Sequence, residues 1–151
     1  MYTGLNRGKA KKVITYDHEG KENGYLMELK KNGHKTSAYL TSANPGCFKG
    51  FHMHLEREAN YVCIEGEFTV VVYTLSEKNV ITKYEENMKA GDELFIPALA
   101  PTALINKSDK QATLINFPNP DYDPSYKDEQ VEFTEEEILD GKLIDFLNKG
   151  K

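Results

Sequence analysis

The sequence predicts an all-β sandwich or barrel of short antiparallel strands, finished by one C-terminal helix. Apolar and polar residues alternate over short runs, the pattern of strands with one buried face. Gly, Pro and Asn punctuate those runs at close intervals. Helical spacing of apolar residues begins only after Thr134. Neither an internal repeat nor a compositional boundary divides the 151 residues, so residues 1–151 read as one domain.

Taken in order, GYLMELKKNG (24–33) is a strand ending in an Asn32-Gly33 turn. HKTSAYLTSANPG is its hairpin partner and stops at Asn44-Pro45-Gly46. The strands CFKGFHMH, NYVCIEGEFTVVVYTL, VITKYEE, ELFIPA, PTALIN and QATLINF follow. FTVVVYTL, from Phe68 to Leu75, is apolar on both faces, so a second sheet or a partner subunit has to cover its outer side. A homodimer is the simpler expectation. After Phe117, PNPDYDPSYKDE reads as a well-defined loop. In TEEEILDGKLIDFLNKG, Thr134 and Glu137 form a capping box, and the acidic first turn suits the helix dipole. Ile138, Leu139, Leu143, Phe146 and Leu147 recur at helical spacing, Gly141 weakens the middle, and Gly150 closes the end.

Hydrophobic content of 39% and charged content of 28% are those of a soluble globular domain. A net charge of −5 argues against a nucleic-acid binder, and the basic run at Lys9, Lys11 and Lys12 reads as a solvated face. Cys47 and Cys63 are too few for a disulfide framework and read as packing residues. No apolar leader follows Met1, and no run approaches the ~18 apolar residues of a membrane span. A cytoplasmic protein is expected, without a membrane partner.

The chemistry concentrates between Gly46 and Gly66, in GCFKGFHMHLEREANYVCIEG. His52, His54 and Glu58 form H-x-H-x-x-x-E, framed by the two glycines. Residues two apart on a strand share a face, so His52 and His54 project together into one cavity. That arrangement is either a metal grip or an acid–base site. His18 and His34 lie in polar, turn-like segments and read as surface residues.

This glycine-framed motif, followed by GDELFIP (91–97) and Asn106, resembles the two signature motifs of the cupin superfamily. The resemblance implies a double-stranded β-helix, or jelly roll. In metal-binding cupins the second motif supplies a glycine and a third histidine; here Leu99 and Thr102 stand at those places. TSANPGCFKGFHMH, YVCIEGEFTVVVY, GDELFIPALAPTAL and LINFPNPDYDP are more specifically similar, in order and spacing, to cupins of the dTDP-4-dehydrorhamnose 3,5-epimerase type. They also resemble the related 3,4-ketoisomerases, which carry two histidines as H-x-H.

What this resemblance implies is cofactor-free enolisation of a nucleotide-linked 4-keto-6-deoxy sugar, in a cytoplasmic polysaccharide or secondary-metabolite route. A proton next to a ketone is only weakly acidic, and histidine is the side chain suited to remove it near neutral pH. His52 is then the base, with His54 and Tyr122 as further acid–base groups. Lys49, Arg57, Tyr61 and Tyr73 are the candidate substrate contacts. Ala59 and Val70 fall where the epimerases carry a lysine and an aspartate, and Lys49 replaces an arginine. Two other readings stand beside this one: a metal-dependent cupin using His52, His54 and Glu58, and a sugar-binding cupin without turnover.

Overall fold

The computed structural model describes residues 4–149. Its strands are β1 (Lys12–Tyr16), β2 (Glu22–Asn32), β3 (Lys35–Ala43), β4 (Phe48–His54), β5 (Ala59–Glu65) and β6 (Glu67–Leu75). Then come β7 (Ile81–Lys89), β8 (Glu93–Ile96), β9 (Thr102–Ile105), β10 (Ala112–Asn116) and β11 (Gln130–Glu132). Two short helices, α1 (Glu135–Leu139) and α2 (Lys142–Asn148), follow. All strand pairs are antiparallel, in two sheets ordered β1-β2-β3-β10-β5-β8 and β11-β4-β9-β6-β7. Non-sequential neighbours such as β3-β10-β5 and β4-β9-β6 are what a jelly roll requires.

The turns carry their expected chemistry. Asn44-Pro45-Gly46-Cys47 closes with a hydrogen bond from Cys47 N–H to Asn44 O at 3.1 Å, Pro and Gly occupying the central positions. The first hairpin lies one residue later than predicted, since Asn32 pairs with Lys35 and leaves Gly33-His34 as the loop. Strands β1 and β11 were not foreseen. KVITY follows a basic run that masks it, and QVE is too short to show a period.

Between the sheets, Phe68, Val70, Val72, Met88, Leu104 and Leu114 form the inner core. The opposite face of β6 is also buried, through Val71 and Tyr73. The expected partner subunit is not what covers this face. Phe51, Met53 and Phe133, with Ile138 and Leu143 from the two helices, cover that face within one chain. The two-sided apolar strand is therefore satisfied without a partner subunit.

The predicted single helix is broken in two at Gly141, whose φ of +97° no helical residue adopts. The capping box is present on both sides: Glu137 N–H donates to Thr134 Oγ1 and Thr134 N–H to Glu137 Oε1, each at 3.1 Å. Ile138 and Leu143 are fully buried, whereas Leu139, next to Ile138 on α1, faces another side of the helix and is exposed. The Gly150 stop lies outside the described residues. Among those described, no helix is long and apolar enough to cross a membrane.

Candidate active site

The inner core gives way at Ile96, Ala100 and Leu104 to a cavity of about 820 Å³. That size falls in the range of small-molecule and cofactor pockets. His52, His54, Lys49, Arg57, Tyr61 and Tyr122 all line it. Tyr73 does not: it packs on Phe51 on the other face of β6, and its hydroxyl donates to Glu135 Oε2 at 2.7 Å. A strand buried on both faces gives no sequence cue to which face meets the cavity.

Strict alternation along KGFHMH would put Lys49 opposite the histidines, together with Phe51 and Met53. A bulge changes this. Lys49 pairs with Leu104 and His52 with Thr102, so three steps on β4 match two on β9. The extra residue returns Lys49 to the cavity side, while Phe51 and Met53 remain in the outer core. Gly50 makes the bulge possible. Its φ is +138°, and a Cβ there would lie 2.7 Å from both Ala103 Cα and Thr102 O.

β11 lies against β4 and pairs Gln130 with His54 and Glu132 with His52. His52 Nδ1 lies 3.1 Å from Gln130 Nε2 and 3.4 Å from Glu132 Oε1. Burial lowers the His52 pKa from its ordinary value, Glu132 opposes that shift, and Lys49 and His18 add to it. His54 is more enclosed. Its Nδ1 lies 2.9 Å from Arg57 Nη2 and 3.1 Å from Glu129 Oε2. Burial, followed by the Arg57 charge, lowers its pKa to about 4 against the pull of Glu129. Both imidazoles are therefore neutral at pH 7.

Arg57 is buried in the cavity wall. Its Nε donates to Glu129 Oε1, and its guanidinium stacks 4.9 Å from the Tyr122 ring centre. The predicted substrate cation is thus occupied within the wall. Tyr122 joins the site because its loop pairs with Thr36 of β3 through two 2.8 Å backbone hydrogen bonds. Burial raises the Tyr61 hydroxyl pKa far above its usual range. Lys49 is buried too; its ammonium donates to Ser42 O at 2.9 Å, and burial lowers its pKa to about 8.

Glu58 is not among the residues that line the cavity. Its backbone bridges Asn119, and its Oε1 accepts from Asn119 Nδ2 at 3.2 Å. Among the described residues no group of three or more His, Cys, Asp or Glu side chains is arranged to hold a metal ion. The donor set of the alternative metal-dependent reading, His52, His54 and Glu58, is not assembled among the described residues. Thr102, where a cupin metal site has a histidine, is buried and donates to Ala100 O at 3.0 Å. Ala59 lines the cavity and Val70 is inner core, so neither place carries a charge. Leu99 keeps the backbone expected of the glycine it replaces, at φ +64°.

Sequence reading missed Glu129, Gln130 and Glu132, the polar partners of the histidines. The alternation of Val131 and Phe133 with polar neighbours was the available signal. Lys11 and His18, read as surface residues, also line the cavity.

A jelly roll whose barrel holds two histidines in its cavity is a cupin. The chain belongs to the family described as FdtA, WxcM-like, C-terminal, which matches residues 11–137. The fold is similar to that of the capsular polysaccharide assembling protein CapF from Staphylococcus aureus, at 17% identity and a TM-score of 0.62. That match covers 82% of this chain and 34% of CapF, so the chain spans about a third of CapF. The Drosophila melanogaster CENP-C cupin domain is similar at 13% identity and a TM-score of 0.58, over 77% of this chain and 84% of that one. At these identities the likeness is one of fold alone. Comparison with curated proteins finds no match.

Proposed function

We propose that this chain is a sugar-modifying enzyme, a ketoisomerase or single-centre epimerase acting on a nucleotide-linked 4-keto-6-deoxy sugar. The observation that carries the reading is the pair of neutral histidines side by side on β4, facing one cavity. The resemblance to the H-x-H ketoisomerases supplies the substrate class. His52 removes the proton at sugar carbon three, and the electron pair forms the C3–C4 double bond as the ketone oxygen takes a proton. For keto migration, the carbon-three hydroxyl then loses its proton and carbon four receives one. Return of a proton to the opposite face of carbon three gives epimerisation instead. Either way the product is an isomer, with no oxidant or reductant consumed.

His54 and Tyr122 are the further acid–base groups, and the Lys49 cation faces the negative charge that develops. Lys11 at the cavity wall offers a second positive charge toward a diphosphate. The activity is proposed for the cytoplasm, which the free thiols of Cys47 and Cys63 fit.

The test is NMR of the protein with dTDP-4-keto-6-deoxyglucose in deuterated water. Deuterium entering carbon three or four, lost in His52→Ala, supports the reading, and a moved carbonyl identifies keto migration. Binding without exchange would favour a sugar-binding cupin. Exchange that appears only with added divalent metal would favour the metal-dependent reading.

A homodimer is proposed on a different face from the one the sequence indicated. Met27, Leu40, Ile115 and Val62 pair in turn across β2, β3, β10 and β5, all half-buried in the single chain. Ile64 and Phe95 are exposed beyond them. A continuous apolar row across four strands, uncovered by the helices, suits a second copy of the same sheet.

A further inference from the structure

We propose that the residues behind the two histidines hold them in opposite neutral tautomers, making His52 the proton acceptor and His54 the proton donor. Which imidazole nitrogen carries hydrogen is set by the partner of the other nitrogen. In both residues Nδ1 is the nitrogen that meets the wall. The wall differs between them.

Behind His54 the nearest group is Arg57 Nη2, at 2.9 Å. A guanidinium has five N–H donors and no acceptor, and it does not deprotonate in a protein. An Nδ1–H would meet that N–H head-on, so Nδ1 accepts and the hydrogen resides on Nε2. Glu129 Oε2 lies slightly farther away, at 3.1 Å, and its carboxylate is already engaged by Arg57 Nε. Glu129 thereby orients Arg57 rather than taking a proton from the ring. Glu129 is 7% exposed and Arg57 8% exposed, so neither is free to exchange partners with water.

Behind His52 the charged group is the Glu132 carboxylate, at 3.4 Å, which can only accept. Gln130, at 3.1 Å, can present its amide oxygen or its nitrogen by a simple flip and so follows the ring. Glu132 therefore favours hydrogen on Nδ1 and leaves the Nε2 lone pair free. One strand thus presents a base and an acid two residues apart, supplied by two different partners on the segment from Glu129 to Glu132. Arg57, Glu129 and Glu132 are positioning residues. The assignment of base and acid rests on the keto-sugar reading above; the tautomers themselves do not.

The experiment is substrate-free. Long-range proton–nitrogen NMR of the uniformly 15N-labelled protein at pH 7.5 reads the tautomer of each imidazole, with His52→Gln and His54→Gln used for assignment. The expected spectrum shows His54 protonated on Nε2 and His52 protonated on Nδ1. Arg57→Met is expected to move the His54 hydrogen to Nδ1, toward Glu129. The neutral pair replacement Arg57→Met with Glu129→Met, which leaves no unpaired buried charge, is expected to remove the bias altogether. The same tautomer on both histidines, or an Nδ1 hydrogen on wild-type His54, would overturn the proposal. Because no substrate is present, that result would leave the enzymatic reading to its own test.

Discussion

His52 and Lys49 show how burial tunes a single side chain. If His52 is the base, His52→Gln is expected to lower kcat by about 10²–10⁴-fold, the usual contribution of a general base. Deuterium incorporation at the sugar carbons measures it. Because burial lowers the His52 pKa, the acid limb of kcat/KM should fall below pH 6.5, the ordinary imidazole value. Lys49 acts on stability as well. Its pKa is about 8 in the fold against 10.5 ordinarily, so the folded chain releases this proton before the unfolded chain does. Stability therefore rises with pH between about 8 and 10.5, and the full penalty, up to roughly 3 kcal/mol, is present below that window. Lys49→Met should be more stable than wild type at pH 7 and should lose this slope, as urea unfolding at several pH values would show. If Lys49 binds the developing charge, the same variant loses turnover. At this scale the sequence was informative about identity but not about partners. His52 and His54 were recognisable from spacing. Arg57, read as a substrate contact, is occupied by Glu129, a residue 72 positions away.

The β4 bulge decides what the site contains. With regular alternation, the strand would offer the cavity two histidines and send Lys49 into the outer core. Gly50→Ala is expected to lose about 1–3 kcal/mol, because the backbone is left-handed and the added Cβ meets Thr102 and Ala103. Its turnover should fall further than its stability accounts for, as Lys49 shifts; comparing thermal unfolding with kcat separates the two effects. Thr134→Ala removes the helix cap and should cost about 1 kcal/mol by denaturant unfolding, with the histidines untouched. Most elements were legible because turn residues and apolar alternation coincide. The bulge was not: KGFHMH alternates regularly, and the irregularity appears only in pairing with β9. The helix break at Gly141 was half legible, since a glycine at midpoint signals weakness without fixing the backbone angle.

For the whole molecule, the two sheets divide the work. The five-stranded sheet is covered by the chain's own helices, and the six-stranded sheet keeps a half-buried apolar row that no described helix covers. Ile115→Lys, at the centre of that row, is expected to yield a monomer by light scattering; an unchanged mass for a dimeric wild type would place the contact elsewhere. The barrel itself was readable, because many short strands between Gly, Pro and Asn turns admit few alternatives. Which face the final helices would cover was not, since helix periodicity gives a helix its apolar side but not its destination.

The segment from Glu129 to Leu143 serves two masters. It seals the outer core through Phe133, Ile138 and Leu143, and it supplies Glu129, Gln130 and Glu132 behind the histidines. The barrel's inner core is independent of it. Loosening this one strap would thus disarm the chemistry while the barrel stood intact, so heat or a protease should silence the protein before it unfolds.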